Sequence, residues 1–218
     1  GKDFLNKLNG MFSFVIFDMK IEKYFCARDR YGKKPFFYYF KDNKFIFSSS
    51  IKSIIKILGT TPTFNKTALS QYLQYFVSLN DLTFYNDIKK LEASSYMLLS
   101  KGDIFIKKYY KINTYKQISE EKTALDDIEE LLYKSITSRL VGDVEIGSLL
   151  SGGIDSSLIS ALYTNISGKR IHTFSVGYND YKNYSELKYA KILSKSINSI
   201  HHPLEISKND FLEVFDDV

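Results

Sequence analysis

The sequence predicts two domains, an α+β domain built on antiparallel strands followed by an α/β domain built on a parallel sheet. Three observations predict it. In the first half, short aromatic-rich runs recur between turn residues, which is the pattern of antiparallel strands. From residue 144 onward, apolar strand-like runs alternate with helix-length segments, which implies parallel strands joined by crossover helices. The chain has 218 residues, enough for one large domain or two modest ones of about 100 residues each.

The expected strands of the first half are residues 11–17, 24–27, 36–40 and 44–47, and they read as a meander. They are separated by Asp18-Met19-Lys20, Tyr31-Gly32-Lys33-Lys34 and Lys41-Asp42-Asn43. Gly32 supplies left-handed freedom and Pro35 fixes its own φ, so together they bracket a tight turn. Residues 51–58 read as a helix stopped by Gly59. Residues 66–76 read as a second, because Leu69, Tyr72, Leu73 and Phe76 recur at helical spacing. Strands over 95–99 and 104–109 flank Lys101-Gly102-Asp103 as an edge hairpin. The polar, weakly patterned stretch 112–119 puts the boundary near residue 113, giving domains over 1–113 and 114–218.

Beyond the boundary, Ser119 is the candidate N-cap of a helix with Glu120 and Glu121 in its first turn. Its apolar stripe is Leu125, Ile128, Leu131, Leu132, Ile136 and Leu140. Then come a strand over 144–150, a helix over 155–165, a strand over 171–176, a helix over 185–197 and a strand over 199–204. Residues 211–218 read as the opening of one more helix.

Composition narrows the class. With 44% hydrophobic and 16% aromatic residues the chain has material for cores, and 25% charge argues against disorder. A net charge of +5 and a pI near 9.0 favour an anionic partner. The basic residues are scattered among acids, so a phosphate-bearing small molecule accounts for the excess as well as nucleic acid does and composition does not settle the partner, while aromatics that alternate within strands read as core residues. Nucleic acid is set aside on that ground. One cysteine, Cys26, makes no internal disulfide, and with no long apolar run and no signal-like start the expectation is a cytoplasmic protein without a membrane role.

Chemistry concentrates in the run Leu149-Leu150-Ser151-Gly152-Gly153-Ile154-Asp155-Ser156-Ser157, where the first parallel strand ends and the next helix begins. Ligands bind at that edge of open α/β sheets. Two glycines let the backbone turn sharply and approach a ligand, and the helix N-terminus adds unpaired N–H donors and a positive dipole end. Ser151, Ser156 and Ser157 add hydroxyl donors without charge. Asp155 is repulsive beside polyphosphate unless a cation lies between, and Mg²⁺ prefers one or two carboxylates plus phosphate oxygens. The competing reading is a flexible turn with Asp155 as helix N-cap. A Walker A loop is excluded, because no Gly-x-x-x-x-Gly-Lys-Ser/Thr occurs.

The seven residues from Ser151 to Ser157 resemble the signature of the PP-loop ATP-pyrophosphatases, which cleave ATP between the α and β phosphates. Arg139-Leu140 and Gly142-Asp143-Val144 before the loop, Thr173-Phe174-Ser175-Val176-Gly177 after it, and residues 183–190 narrow the resemblance to the asparagine synthetase domain. Independently, Leu8-Asn9-Gly10-Met11-Phe12-Ser13-Phe14 and Ala27-Arg28-Asp29-Arg30-Tyr31-Gly32-Lys33-Lys34-Pro35-Phe36-Phe37-Tyr38 resemble the class II glutamine amidotransferase domain of the same enzymes.

The resemblance implies the C-terminal part of an Ntn-type glutaminase followed by the start of a PP-loop domain. It implies glutamine-dependent, ATP-dependent amidation of aspartate through a β-aspartyl-AMP intermediate, with AMP and pyrophosphate released. It places Leu149 and Val176 beside adenine, and Ser151, Gly152, Gly153, Ile154, Asp155, Ser156 and Ser157 around a pyrophosphate whose Mg²⁺ meets Asp155. Implied partners are ATP, aspartate and glutamine, and a homodimer stays open. A related amidotransferase with another carboxylate acceptor, or a non-catalytic ATP-binding module, would carry the same residues.

In that family an N-terminal cysteine is the glutaminase nucleophile and a later Ser-Gly-Glu-Gly motif completes the synthetase site. Neither stretch is in this sequence, which starts at Gly1, so an internal piece of a longer enzyme is expected. Cys26, inside an expected strand, reads as a buried structural residue. Arg28 and Asp29 read as a contact holding a turn. His201 and His202 read as strand residues facing opposite ways, not as metal ligands.

Overall fold

A computed structural model of the protein describes residues 2–112, 114 and 120–215. The chain forms two compact units, Gly1–Tyr115 and Lys116–Val218. The expected boundary residue 113 and candidate cap Ser119 lie outside the described residues.

The first unit opens with a short 3-10 helix, Lys2–Lys7, and then β1 (Ser13–Asp18), β2 (Lys23–Arg28), β3 (Phe37–Lys41) and β4 (Lys44–Ser48). Helices α1 (Ile51–Leu58) and α2 (Lys66–Tyr75) follow, then β5 (Ile88–Lys90), β6 (Ser95–Ser100) and β7 (Asp103–Lys108). All strand pairs in this unit are antiparallel, as expected, but they do not make one meander. The order is β1-β2-β6-β7 in one sheet and β4-β3-β5 in another. The chain leaves the first sheet after β2 and returns to it only at β6, so β2 pairs Tyr24 with Leu99 and Cys26 with Met97.

Local chemistry explains the turns. Asp42 and Asn43 (φ 51 and 56) and Lys101 and Gly102 (φ 50 and 88) form two-residue hairpins with the positive φ values that match strand twist. Gly59 ends α1 in the left-handed region (φ 72), donating to the Ile55 carbonyl at 3.0 Å. Helix α2 stops one residue before the expected Phe76, which is its left-handed cap. The short β5 was not expected. Its three residues, Ile-Lys-Lys, carry too little pattern to stand out.

Among the described residues three apolar clusters sit in this unit, one of them made by Cys26, Phe36, Tyr38, Leu91 and Met97. β7 is the edge strand of its sheet, so the hairpin is an edge on one side only.

The second unit runs α3 (Glu121–Thr137), β8 (Gly147–Leu149), α4 (Ile154–Ser167), β9 (His172–Tyr178), α5 (Leu187–Ser196), β10 (Ile200–Ile206) and α6 (Lys208–Glu213). β10, β9 and β8 lie side by side in that order, all parallel, as the alternation requires. β8 is three residues long where a longer strand was expected, because it is an edge strand that meets only the first half of β9. Leu140 falls beyond the end of α3, and of the expected stripe Ile136 is the buried member. The last helix begins earlier than expected, fixed by a capping box between Ser207 and Asp210.

Candidate functional site

The register of the parallel sheet sorts its side chains. Ser148 pairs with Thr173, and Thr173, Ser175 and Gly177 are buried, so they mark the face that carries the helices. Ser160 of α4 meets Ser148, hydroxyl to hydroxyl, at 2.8 Å, and α5 packs on β9 and β10 from the same side. Leu149 pairs with Phe174, and Val176 follows two residues later, so all three share the opposite face. There Leu149 is 82% exposed, Phe174 44%, Val176 57% and Leu204 57%. The two residues expected beside a nucleobase therefore stand together on an accessible apolar surface at the carboxyl end of the strands.

The loop leaves that edge between two anchors. The Leu150 N–H donates to the Phe174 carbonyl at 2.8 Å, and the Ser175 hydroxyl donates to the Leu150 carbonyl. Gly152 then adopts φ +87, and a Cβ there would stand 2.7 Å from Tyr189 Cβ and 2.8 Å from the Ala190 backbone nitrogen. The first turn of α5 thus presses against the loop, and only glycine gives it room. Gly177 has the same part on β9, where a Cβ would meet Leu187 Cδ1 at 2.3 Å.

Ser151 closes the turn. Its Oγ accepts the Gly153 N–H at 3.2 Å and lies 2.9 Å from Ser156 Oγ, while the Ser156 hydroxyl also reaches the Gly153 carbonyl at 3.2 Å. Gly153 is the N-cap of α4, and no side chain caps the helix. The competing reading of Asp155 as N-cap is therefore corrected: it sits inside the first turn, with an exposed side chain. The first-turn N–H groups of a helix have no intrahelical partner, and here they open beside the hydroxyls of Ser151 and Ser156. Ser157 N–H is already engaged, donating to the Gly153 carbonyl at 3.1 Å. Ile154 is exposed beside Asp155.

Chemically this arrangement can receive an anion, with donors from backbone and hydroxyls, a helix dipole, and one carboxylate suited to a cation between itself and the anion. Among the described residues Asp155 takes part in no ion pair, and no group of three or more His, Cys, Asp or Glu is disposed to hold a metal alone. A cation at Asp155 would need ligand oxygens from its anion, which is the habit of Mg²⁺ on phosphates. The sequence alone did not show that Tyr189 and Ala190 press on the loop at Gly152, or that Leu187 presses on β9 at Gly177. The signal was present in Gly177 and Gly152, each of which marks a close approach.

The remaining candidates resolve as structural. Cys26 is fully buried, and burial pushes its thiol up to about 12, far from a nucleophile's range. Asp29 is 1% exposed, and its carboxylate accepts the N–H groups of Tyr31, Lys33 and Lys34 at 3.1, 3.0 and 2.9 Å. Burial alone would raise its pKa, but those backbone donors outweigh burial and hold it below the usual carboxylate range. Arg28 donates to the carbonyls of Gly32, Lys34 and Leu91 at 2.7, 2.7 and 2.6 Å. The pair holds the 29–34 turn through the backbone, not through the Arg–Asp contact expected. His201 and His202 face opposite sides of the sheet, His201 toward Thr173 and His202 toward His172. Among the described residues no helix is long and apolar enough to cross a membrane.

The chain matches two family models, a glutamine amidotransferase domain over residues 1–110 and an asparagine synthase over 127–218. It is 35% identical to a putative glutamine-hydrolyzing asparagine synthetase 2 of Methanocaldococcus jannaschii, across 99% of this chain and 42% of that protein. It is 28% identical to asparagine synthetase 3 of Bacillus subtilis, across 97% of this chain and 37% of the relative. It is 26% identical to asparagine synthetase B of Escherichia coli, across 100% of this chain and 36% of the relative. The chain spans roughly two fifths of the length of these relatives.

Proposed function

This chain belongs to the glutamine amidotransferase domain family and continues into an asparagine synthase domain, and from that premise we propose that residues 151–157 hold the magnesium pyrophosphate of ATP for amidation of aspartate. The observation that carries the reading is the loop's anchoring: Gly152 at φ +87 lies against Tyr189 and Ala190, with the open start of α4, the Ser151 and Ser156 hydroxyls and Asp155 beside it.

In this reading the backbone N–H groups of the first turn of α4 and the serine hydroxyls receive the β and γ phosphates. Leu149 and Val176 offer adenine an apolar seat at the strand ends. Asp155 holds Mg²⁺, which when bound neutralises charge on the departing pyrophosphate. The loop's task is alignment. It holds ATP so that a carboxylate oxygen of aspartate forms a bond to the α-phosphorus as the bond to pyrophosphate breaks, bringing together two anions that otherwise repel. Ammonia released from glutamine then displaces AMP and leaves the amide. Cys26 takes no part in releasing that ammonia, since its thiol stays protonated at neutral pH.

The test is the nucleotide product of the enzyme that carries this sequence, supplied with ATP, Mg²⁺, aspartate and glutamine. AMP and pyrophosphate are expected in equal amounts. ADP as the sole nucleotide product would overturn the reading.

A further inference from the structure

On the helix-bearing side of the parallel sheet, a chain of hydrogen bonds joins α5, β9 and β10, and it has a fixed direction. The Ser199 hydroxyl donates to Ser194 Oγ of α5 at 2.9 Å, and the Ser199 N–H donates to the Ser194 carbonyl, also at 2.9 Å. With its one hydroxyl proton spent there, Ser199 Oγ can only accept from Thr173 Oγ1, 2.9 Å away. Thr173, its own proton spent in turn, can only accept from His201 Nδ1 at 3.0 Å. His201 is therefore the neutral tautomer with its proton on Nδ1, and its Nε2 carries a lone pair. That Nε2 is buried and has no hydrogen-bond partner among the described residues. Ser194, Ser199 and Thr173 are buried as well, so the chain is closed to solvent along its hydroxyls.

We propose that His201 is an acid-sensitive latch of the second unit: its neutral ring ends the chain that fastens β9 and β10 to α5, and a second proton on that ring slackens the fastening and the seat of α5 on the loop at Gly152. A second proton must go to Nε2, where a buried N–H finds no acceptor and the ring gains a charge. The charged groups that bear on it are Lys191 from α5 and, once protonated, His202 from its own strand, while β9 offers the uncharged Thr173. Among the described residues no carboxylate pairs with His201. Burial first, then His202 and Lys191, outweigh the contact with Thr173 and hold the imidazole below its ordinary value. With a depressed folded value, the latch's stabilisation is fully present above the unfolded value of about 6.5 and is lost as pH falls through the lower folded one. Ser194 lies one helical turn beyond Ala190, whose backbone nitrogen backs Gly152, so slack at Ser194 reaches the loop's seat whatever anion the loop takes.

The experiment follows the imidazole nitrogen and proton NMR signals of the 218-residue chain through an acid titration, with the protection of backbone amides against hydrogen exchange measured at each pH. A His201 ring protonated at Nδ1 and bare at Nε2 is expected above neutrality, with a midpoint below about 6.5. Amides of residues 190–194 and of Gly152 should lose protection several-fold as His201 takes up its proton. His201→Asn keeps a donor for Thr173 and cannot titrate, so this loss should vanish from the variant. Lys191→Met should move the His201 midpoint up. A proton on Nε2 in place of Nδ1, a midpoint at or above about 6.5, or α5 protection that ignores the titration of His201 would each overturn the proposal, whether or not the variants fold. So would an unchanged acid response in a folded His201→Asn.

Discussion

The two units solve the problem of burying a sheet differently. In the first, antiparallel sheets close over side chains from several strands, and Cys26, Leu91 and Met97 lose all contact with water. In the second, a parallel sheet carries helices on one face while Leu149, Phe174, Val176 and Leu204 stand exposed on the other. Parallel sheets are ordinarily covered on both faces. The difference teaches where each unit keeps its specificity. Both units use buried polar groups for internal order, Asp29 in the first and Ser160, Thr173 and Ser199 in the second, but the second also sets Ser151 and Asp155 at the open sheet edge.

That contrast can be broken most forcefully at Asp29. Asp29→Ala strands three inward-facing backbone N–H groups and should destabilise the first unit by about 3 to 5 kcal/mol in urea unfolding followed by near-ultraviolet circular dichroism. A loss under about 1 kcal/mol would show that the 29–34 turn is not held as described. Next in size is Met97→Ala, expected to cost about 2 to 5 kcal/mol as a fully buried side chain is deleted. Its counterpart on the open face, Leu149→Ala, should stay within about 0.5 kcal/mol, and equal losses at the two positions would erase the contrast.

Gly152→Ala tests the loop's anchoring. The new Cβ meets backbone at a residue with φ +87, so a cost of about 1 to 3 kcal/mol is expected in the second unit, together with loss of Mg²⁺-dependent ATP binding. Unchanged stability and binding would mean that α5 does not seat the loop.

The smallest effect sharpens the comparison by pH. Because Asp29 has a lowered pKa in the fold, its stabilisation is fully present above the unfolded value of about 3.9 and is lost as pH falls through the lower folded value. The first unit should therefore lose stability with acid below about pH 4, and Asp29→Asn should remove that part of the slope. An identical acid profile in the variant would assign the slope to other groups.

Much of this was legible in the sequence for physical reasons. Two-residue hairpins at Asp42-Asn43 and Lys101-Gly102, the stop at Gly59 and the strand–helix alternation after residue 144 are local signals, and local signals survive into the fold. The return of the chain from β5 to pair β6 with β2 was not legible, because sheet order depends on contacts between residues far apart in sequence. The same limit applies at the site. The string 151–157 led to the expectation of a phosphate cradle, but that Tyr189 and Ala190 press on Gly152, and Leu187 on Gly177, could be seen only once α5 was placed. Arg28 and Asp29 were identified as structural from their types, while their backbone partners, above all the Leu91 carbonyl, needed the folded chain.

The most direct test of the central claim is titration of the chain with pyrophosphate, with and without Mg²⁺, while the backbone amide signals of Gly152, Gly153, Ile154 and Asp155 are followed. Large, saturable shifts confined to the loop and the start of α4, requiring Mg²⁺ and absent in a folded Asp155→Ala, are the predicted result. Unmoved loop amides at saturating magnesium pyrophosphate, or shifts that persist without Mg²⁺ and in Asp155→Ala, would contradict it.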